Sequence, residues 1–154
     1  MIRPRRGEAG FTLAEMVMVA ALIAILAGMV LPVAKYAVKR RKEMELRLDL
    51  RLMRHAIDEY KRLSDQGMIP VKVGSEGYPP DLETLVEGVQ LVGKDTKRKF
   101  LRRIPVDPMT GEAKWGLRSY QDEPDSDSWG EQNVYDVYSL SDGTAIDGTK
   151  YKDW

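Results

Sequence analysis

From Phe11 to Ala34 the chain runs 24 residues with a single charge among them, Glu15. A helix of that length spans about 36 Å, enough to cross the hydrocarbon of a bilayer. A surface apolar on every side cannot be satisfied by water, so it must face lipid or other copies of itself. A carboxylate in hydrocarbon costs roughly 2.5–3.5 kcal/mol or more, which implies a purpose for Glu15. It either snorkels or is protonated near one leaflet, or it pairs with a partner's amine. Upstream lie ten residues, Met1 to Gly10, holding Arg3, Arg5 and Arg6 and ending in glycine. A secretory signal places its small-residue cleavage site after the apolar region, which is then removed. Here the small-residue junction, Ala9-Gly10, precedes it, so a cut after Gly10 leaves the apolar helix on the mature protein. Gly28 and Pro32 lie near its outer end. Proline lacks the N–H and crowds the preceding turn, which predicts a kink or local melting around Gly28–Pro32.

A basic leader, then Gly10, Phe11, Thr12, Leu13 and Glu15 inside a membrane-length helix, with Pro32 further on, resembles the N-terminus of type IV pilins and of the pseudopilins of type II secretion. The resemblance implies that a prepilin peptidase cleaves between Gly10 and Phe11 and methylates the new Phe11 amine. It also implies that Glu15 serves filament assembly by meeting the positive N-terminus of a neighbouring subunit. Further on, Tyr78-Pro79, a helix with Leu82 and Leu85, Ile104-Pro105-Val106-Asp107-Pro108 and Tyr138-Ser139-Leu140-Ser141-Asp142-Gly143 are similar to the heads of the major pseudopilins. Two departures stand out. The family usually follows its Asp-Pro with Trp-Gly, whereas here Met109-Thr110-Gly111 intervenes and Trp115-Gly116 comes later; the loop before the last strand is also long and acidic.

What the resemblance implies for function is a structural subunit of a type II secretion pseudopilus, self-assembling through its helix to drive export of folded proteins across the outer membrane. The implied partners are further copies in a helical filament, the prepilin peptidase, an inner-membrane assembly platform with its ATPase, minor pseudopilins and inner-membrane lipid. The head would sit in the periplasm. The alternative is a type IV pilus subunit for adhesion, motility or DNA uptake, which shares the same N-terminal assembly chemistry. Major pseudopilins commonly hold a structural calcium in their last loop. The matching stretch offers the carboxylates of Asp142 and Asp147, the carbonyl of Leu140 and the hydroxyl of Thr149 towards the six to eight oxygens calcium takes. The two aspartates are closer in sequence than in the family. Asp142-Gly143 and Asp147-Gly148 equally well make turns, and Asp125 with Asp127 form a second candidate pair.

The chain thus divides into a leader (1–10), a transmembrane or filament-core helix (11–34), its amphipathic continuation (35–64) and a globular head (65–154). In the continuation Leu46, Leu50, Met53, Ile57 and Tyr60 recur at 4-3-4-3 spacing, widened by Ala56 and Leu63 into one apolar stripe. Arg47, Arg51, Arg54, Asp58 and Arg62 fall largely outside it. Continuous with the apolar half, this helix would be roughly 80 Å long. It should stop near Asp65-Gln66-Gly67, with Pro70 beyond. Asp81 is the expected N-cap for a second helix over Leu82 to Val92, and two prolines make residues 104–111 a rigid connector. Aromatic and β-branched runs predict strands over Trp115–Gln121 and Val134–Leu140. The expected fold is α+β: a long N-terminal helix packed on a small antiparallel sheet, type IV pilin-like. Trp115, Tyr120, Trp129, Tyr135, Tyr138 and Trp154 read as core or rim packing.

Net charge is zero, but residues 35–64 hold ten Lys/Arg against five Asp/Glu, and residues 65–154 hold eleven against seventeen. A basic stem and an acidic head either favour staggered packing between copies or are two solvated surfaces of opposite bias. Lys35, Lys39, Arg40, Arg41 and Lys42 follow the apolar run closely, so a positive-inside count puts the C-terminus in the cytoplasm, against the family's orientation. The basic run Lys97-Arg98-Lys99 with Arg102-Arg103 lacks the interleaved aromatics of a nucleic-acid surface, so no nucleic-acid partner is expected. There is no cysteine, and the only histidine, His55, is isolated on the amphipathic helix. The usual nucleophile–base pairings are therefore absent, and the chain reads as a non-enzyme.

Overall fold

A computed structural model describes residues 10–154, apart from the side chains of residues 29–31. The leader before Gly10 lies outside the described residues. Helix α1 (Leu13–Asp65) is followed by α2 (Leu82–Glu87), strands β1 (Val89–Gln90), β2 (Lys97–Arg98), β3 (Gly116–Arg118) and β4 (Asp136–Tyr138), and a 3₁₀ turn over Tyr151–Asp153. The chain forms two compact units, one through Lys39 and one from Arg40 onward.

In the first unit, α1 opens on a capping pattern. Thr12 precedes the helix, and its hydroxyl accepts the N–H of Glu15 at 3.2 Å. Threonine followed three residues later by glutamate is the sequence signature of such a start. Pro32 stands inside the helix, and the helical assignment continues through it. The sequence leads one to expect a kink or local melting around Gly28–Pro32; the backbone there is assigned as helix on both sides of Pro32.

The second unit contains the core. Leu46, Leu50, Met53, Ala56, Ile57, Tyr60 and Leu63 are all buried, so the predicted stripe is the face of α1 against which the head packs. Opposite it come Leu82 and Leu85 from α2, Val137 from β4, and Trp115, Val134 and Tyr151. Helix α1 ends as the sequence predicts. Gly67 takes a positive φ of 70°, its N–H bonds to the Ser64 carbonyl at 2.9 Å, and the Met68 N–H bonds to Leu63 at 3.0 Å. This paired closure satisfies carbonyls the last turn would leave orphaned.

Helix α2 starts where predicted but is shorter. Asp81 caps it, accepting the Thr84 N–H at 2.7 Å and the Thr84 hydroxyl at 2.6 Å. It stops at Glu87 rather than Val92, because Gly88 turns to a φ of 81° and a Cβ there would meet the Arg98 carbonyl oxygen at 2.7 Å. Val89 and Gln90 then pair antiparallel with Arg98 and Lys97, so part of the expected helix and part of the basic run form a small ribbon. The two predicted strands do pair, in the register Gly116↔Tyr138, Leu117↔Val137 and Arg118↔Asp136, but over three residues each. Gly116 leaves room for a neighbour: a Cβ there would lie 2.3 Å from the Tyr138 ring, whose face is covered by the Arg118 guanidinium at 4.2 Å.

Three polar side chains knit the rest together. Asp107, fully buried, accepts the Met109 N–H at 2.7 Å and the Ser139 hydroxyl at 2.6 Å, tying the proline connector to the end of β4. Asn133, also fully buried, accepts the Tyr120 N–H at 3.0 Å and donates to Gln121 at 2.9 Å. Asp122 takes the N–H groups of Ser119 and Gly130, which hold its carboxyl below the usual range. Trp115 and Tyr138 are buried, whereas Tyr120 and Tyr135 are exposed and pack with Tyr78, ring centroids 5.2–5.9 Å apart. The whole is an α+β fold, a long N-terminal helix with small antiparallel sheets, as in type IV pilin-like proteins.

Candidate processing and assembly segment

Gly10 and Phe11 precede α1 in irregular, exposed backbone. The bond between them lies outside any hydrogen-bonded element, as a peptidase substrate must. A Cβ on Gly10 would meet nothing within 4 Å, and its backbone is not left-handed. Among the described residues no packing contact calls for glycine there. Phe11 is 76% exposed and Leu13 84%.

Glu15 stands one turn further on, in the first turn of α1. The helix's positive end favours a carboxylate at this position. Its backbone N–H is used by Thr12; among the described residues its carboxylate has no partner. Every described side chain from Phe11 to Val38 is exposed, so the apolar half of α1 has no covering surface among them. This region is long and apolar enough to cross a membrane. In the second unit, α1 also shows Met44, Leu48 and Leu52, each more than half exposed and spaced four apart, on a face other than the buried stripe. His55 is exposed on the same helix.

The residues suggested for calcium are placed differently. Asp147 accepts the Thr149 N–H at 3.0 Å and the Thr149 hydroxyl at 2.6 Å, and its other oxygen lies 3.2 Å from the Arg47 guanidinium. Thr149 first, then Arg47, hold the Asp147 carboxyl below its ordinary range. The Thr149 hydroxyl also accepts the Trp154 indole N–H at 2.6 Å. Asp142 and Leu140 are exposed and share no bond with Asp147. Asp127 pairs with Lys152 at 3.0 Å rather than with Asp125. Among the described residues no three His, Cys, Asp or Glu side chains gather as a metal site. The carboxylate that would lead such a ligand set thus faces a guanidinium.

Several structural residues escaped the sequence reading. Thr12 was legible as half of a Thr-x-x-Glu capping pattern. Glu43, Arg54 and Asn133 carried no such signal, because their partners lie far along the chain.

The family described as the prokaryotic N-terminal methylation motif matches residues 5–31. No curated protein and no solved structure matches the chain. The motif covers residues just before Gly10 and most of the apolar part of α1, and with the long helix and small sheets it supports a type IV pilin-like protein. It implies processing by a prepilin peptidase and assembly into a filament, the work of a structural subunit.

Proposed function

We propose that this chain is the major subunit of a type II secretion pseudopilus. The observation that carries the reading is the methylation motif on an exposed, uncovered apolar helix, preceded by an accessible Gly10–Phe11 bond. A prepilin peptidase cuts after Gly10 and methylates the Phe11 amine. The apolar halves of neighbouring helices then bundle, so that leaving lipid costs little, and the Glu15 carboxylate meets a neighbour's amine in a medium where an unpaired charge is expensive. Met44, Leu48 and Leu52 add apolar surface for such packing. The heads face the periplasm, and the filament, extended by an inner-membrane platform and its ATPase, pushes folded proteins outward. The resemblance of the head to major pseudopilins favours secretion over a type IV pilus.

Co-expression with a prepilin peptidase followed by intact mass and N-terminal sequencing tests the first step. A chain beginning at methylated Phe11 is expected; one still beginning at Met1, or cut beyond Ala34, would sink the reading. Deleting the gene in its host then separates the two systems. Loss of exoprotein export with twitching and surface piliation intact is expected, and the reverse outcome assigns a type IV pilus.

A further inference from the structure

Two side chains of α1 hold the final loop of the head, and a third holds the segments on either side of it. Glu43, buried, accepts both the Ile146 N–H and the Tyr151 hydroxyl through one oxygen, each at 2.9 Å. One turn on, Arg47 pairs with Asp147 at 3.2 Å while its guanidinium lies 3.9 Å from the centre of the Trp154 ring. Two turns further, Arg54 reaches Asp136 at 2.6 Å, the Val137 carbonyl at 3.1 Å and the Trp154 carbonyl at 2.7 Å. The loop closes on itself as well. Ala145 N–H bonds to Thr149 at 2.8 Å, and Thr144 bridges Lys150.

We propose that Glu43 and Arg47, with Arg54 holding β4 and Trp154 on either side, clamp this loop onto α1 in place of a metal ion, and that the head folds independently of calcium. The chemistry of the donor set is the reason. Calcium takes six to eight oxygens, and the tip carboxylate that would lead them, Asp147, already faces a cation. A divalent ion there must displace Arg47 or sit beside it against like charge. The Thr149 hydroxyl is engaged on two sides, by Asp147 and by Trp154. The Trp154 ring, with Arg47 over its face and Tyr151 edge-on at 5.2 Å, borders the same spot. Arg47 thus supplies the positive charge that the loop's carboxylate requires, and Glu43 supplies the acceptor for the Ile146 N–H. The inference concerns the head alone and stands or falls separately from the filament reading.

The test is thermal unfolding of the full chain in detergent, followed by near-ultraviolet circular dichroism in excess calcium and in EGTA. The wild-type melting temperature is expected to agree within about 1 °C between the two. Glu43→Ala, which strands two donors, should lower it by roughly 5–10 °C, and Arg47→Ala by a few degrees, neither regained on adding calcium. Glu43→Gln, which keeps an acceptor oxygen, should recover most of the loss, and it carries the test with Arg47→Ala if Glu43→Ala fails to fold. Terbium supplies an independent readout, since an ion bound at Asp147 would be sensitised by Trp154; no saturable emission is expected. The proposal is overturned by a calcium-dependent rise above about 3 °C that Asp147→Asn abolishes, by terbium emission lost in that variant, or by Glu43→Ala and Arg47→Ala melting like wild type.

Discussion

Up to Ala34, Glu15 apart, α1 is apolar around its whole circumference and buries none of its described side chains; from Arg40 onward it confines its apolar residues largely to one stripe and buries every member. Both stretches are regular helix, so backbone geometry does not distinguish them. The difference lies in where the covering surface comes from. A stripe at helical spacing matches one partner on one side, and the same chain supplies that partner as the head. An all-round apolar surface has no such partner among the described residues, and its cover must come from lipid or from other copies. Fold stability and assembly are thereby assigned to different lengths of a single helix.

Mutations should respect that division. The largest effect is expected at Glu15. Glu15→Ala should cut filament yield tenfold or more, since about 1.4 kcal/mol suffices for that, while the melting temperature of the head stays put; sedimentation of assembled filaments beside a thermal melt reads both. Glu15→Gln, which keeps a capping side chain but no charge, should lose as much, and a Gln variant that assembles normally would move the role of Glu15 from charge to helix capping.

In the other length of the helix the expectation reverses. Met53→Ala opens a cavity in the fully buried stripe and should cost about 2–5 kcal/mol of head stability. Membrane association, followed by flotation with vesicles, should not change. Arg54→Ala leaves the Asp136 carboxylate and two carbonyls without their shared donor, which should cost about 1–3 kcal/mol by denaturant unfolding.

Tyr151 gives a smaller effect that depends on pH. Burial, and then the hydrogen bond it donates to Glu43, push its hydroxyl from 10.0 up to about 12. The unfolded chain gives up this proton first, so the tyrosine's contribution is intact below about pH 10 and is lost as pH climbs towards the folded value. Wild type should therefore lose stability over that alkaline window more steeply than Tyr151→Phe, measured by denaturant midpoints across the range. The smallest change is expected from Thr12→Ala, which removes the cap of α1 and should cost about 1 kcal/mol, seen as faster amide exchange in the first turn with the head unaffected.

Those expectations draw on features that were not equally legible in the amino-acid order. The stripe from Leu46 to Tyr60 was readable because burial on a helix follows a local period, and the stop at Gly67 because a positive φ favours glycine. The extents of α2 and of β3 and β4 were not. Gly88 ends α2 through the approach of the Arg98 backbone, and a strand lasts only as long as its partner lies alongside. The pairing of Glu43 with Ile146 and Tyr151 links positions more than a hundred residues apart, and no window of sequence contains both ends.

By itself, then, the sequence determined the helix, its two kinds of surface and its end at Gly67, since each depends on neighbours within a few turns. Tertiary structure alone decided the short ribbons, the buried Asp107 and Asn133, and the clamp on the last loop. It did so because a buried polar group is tolerated only where distant donors and acceptors are brought within bonding reach, and only the folded chain brings them there.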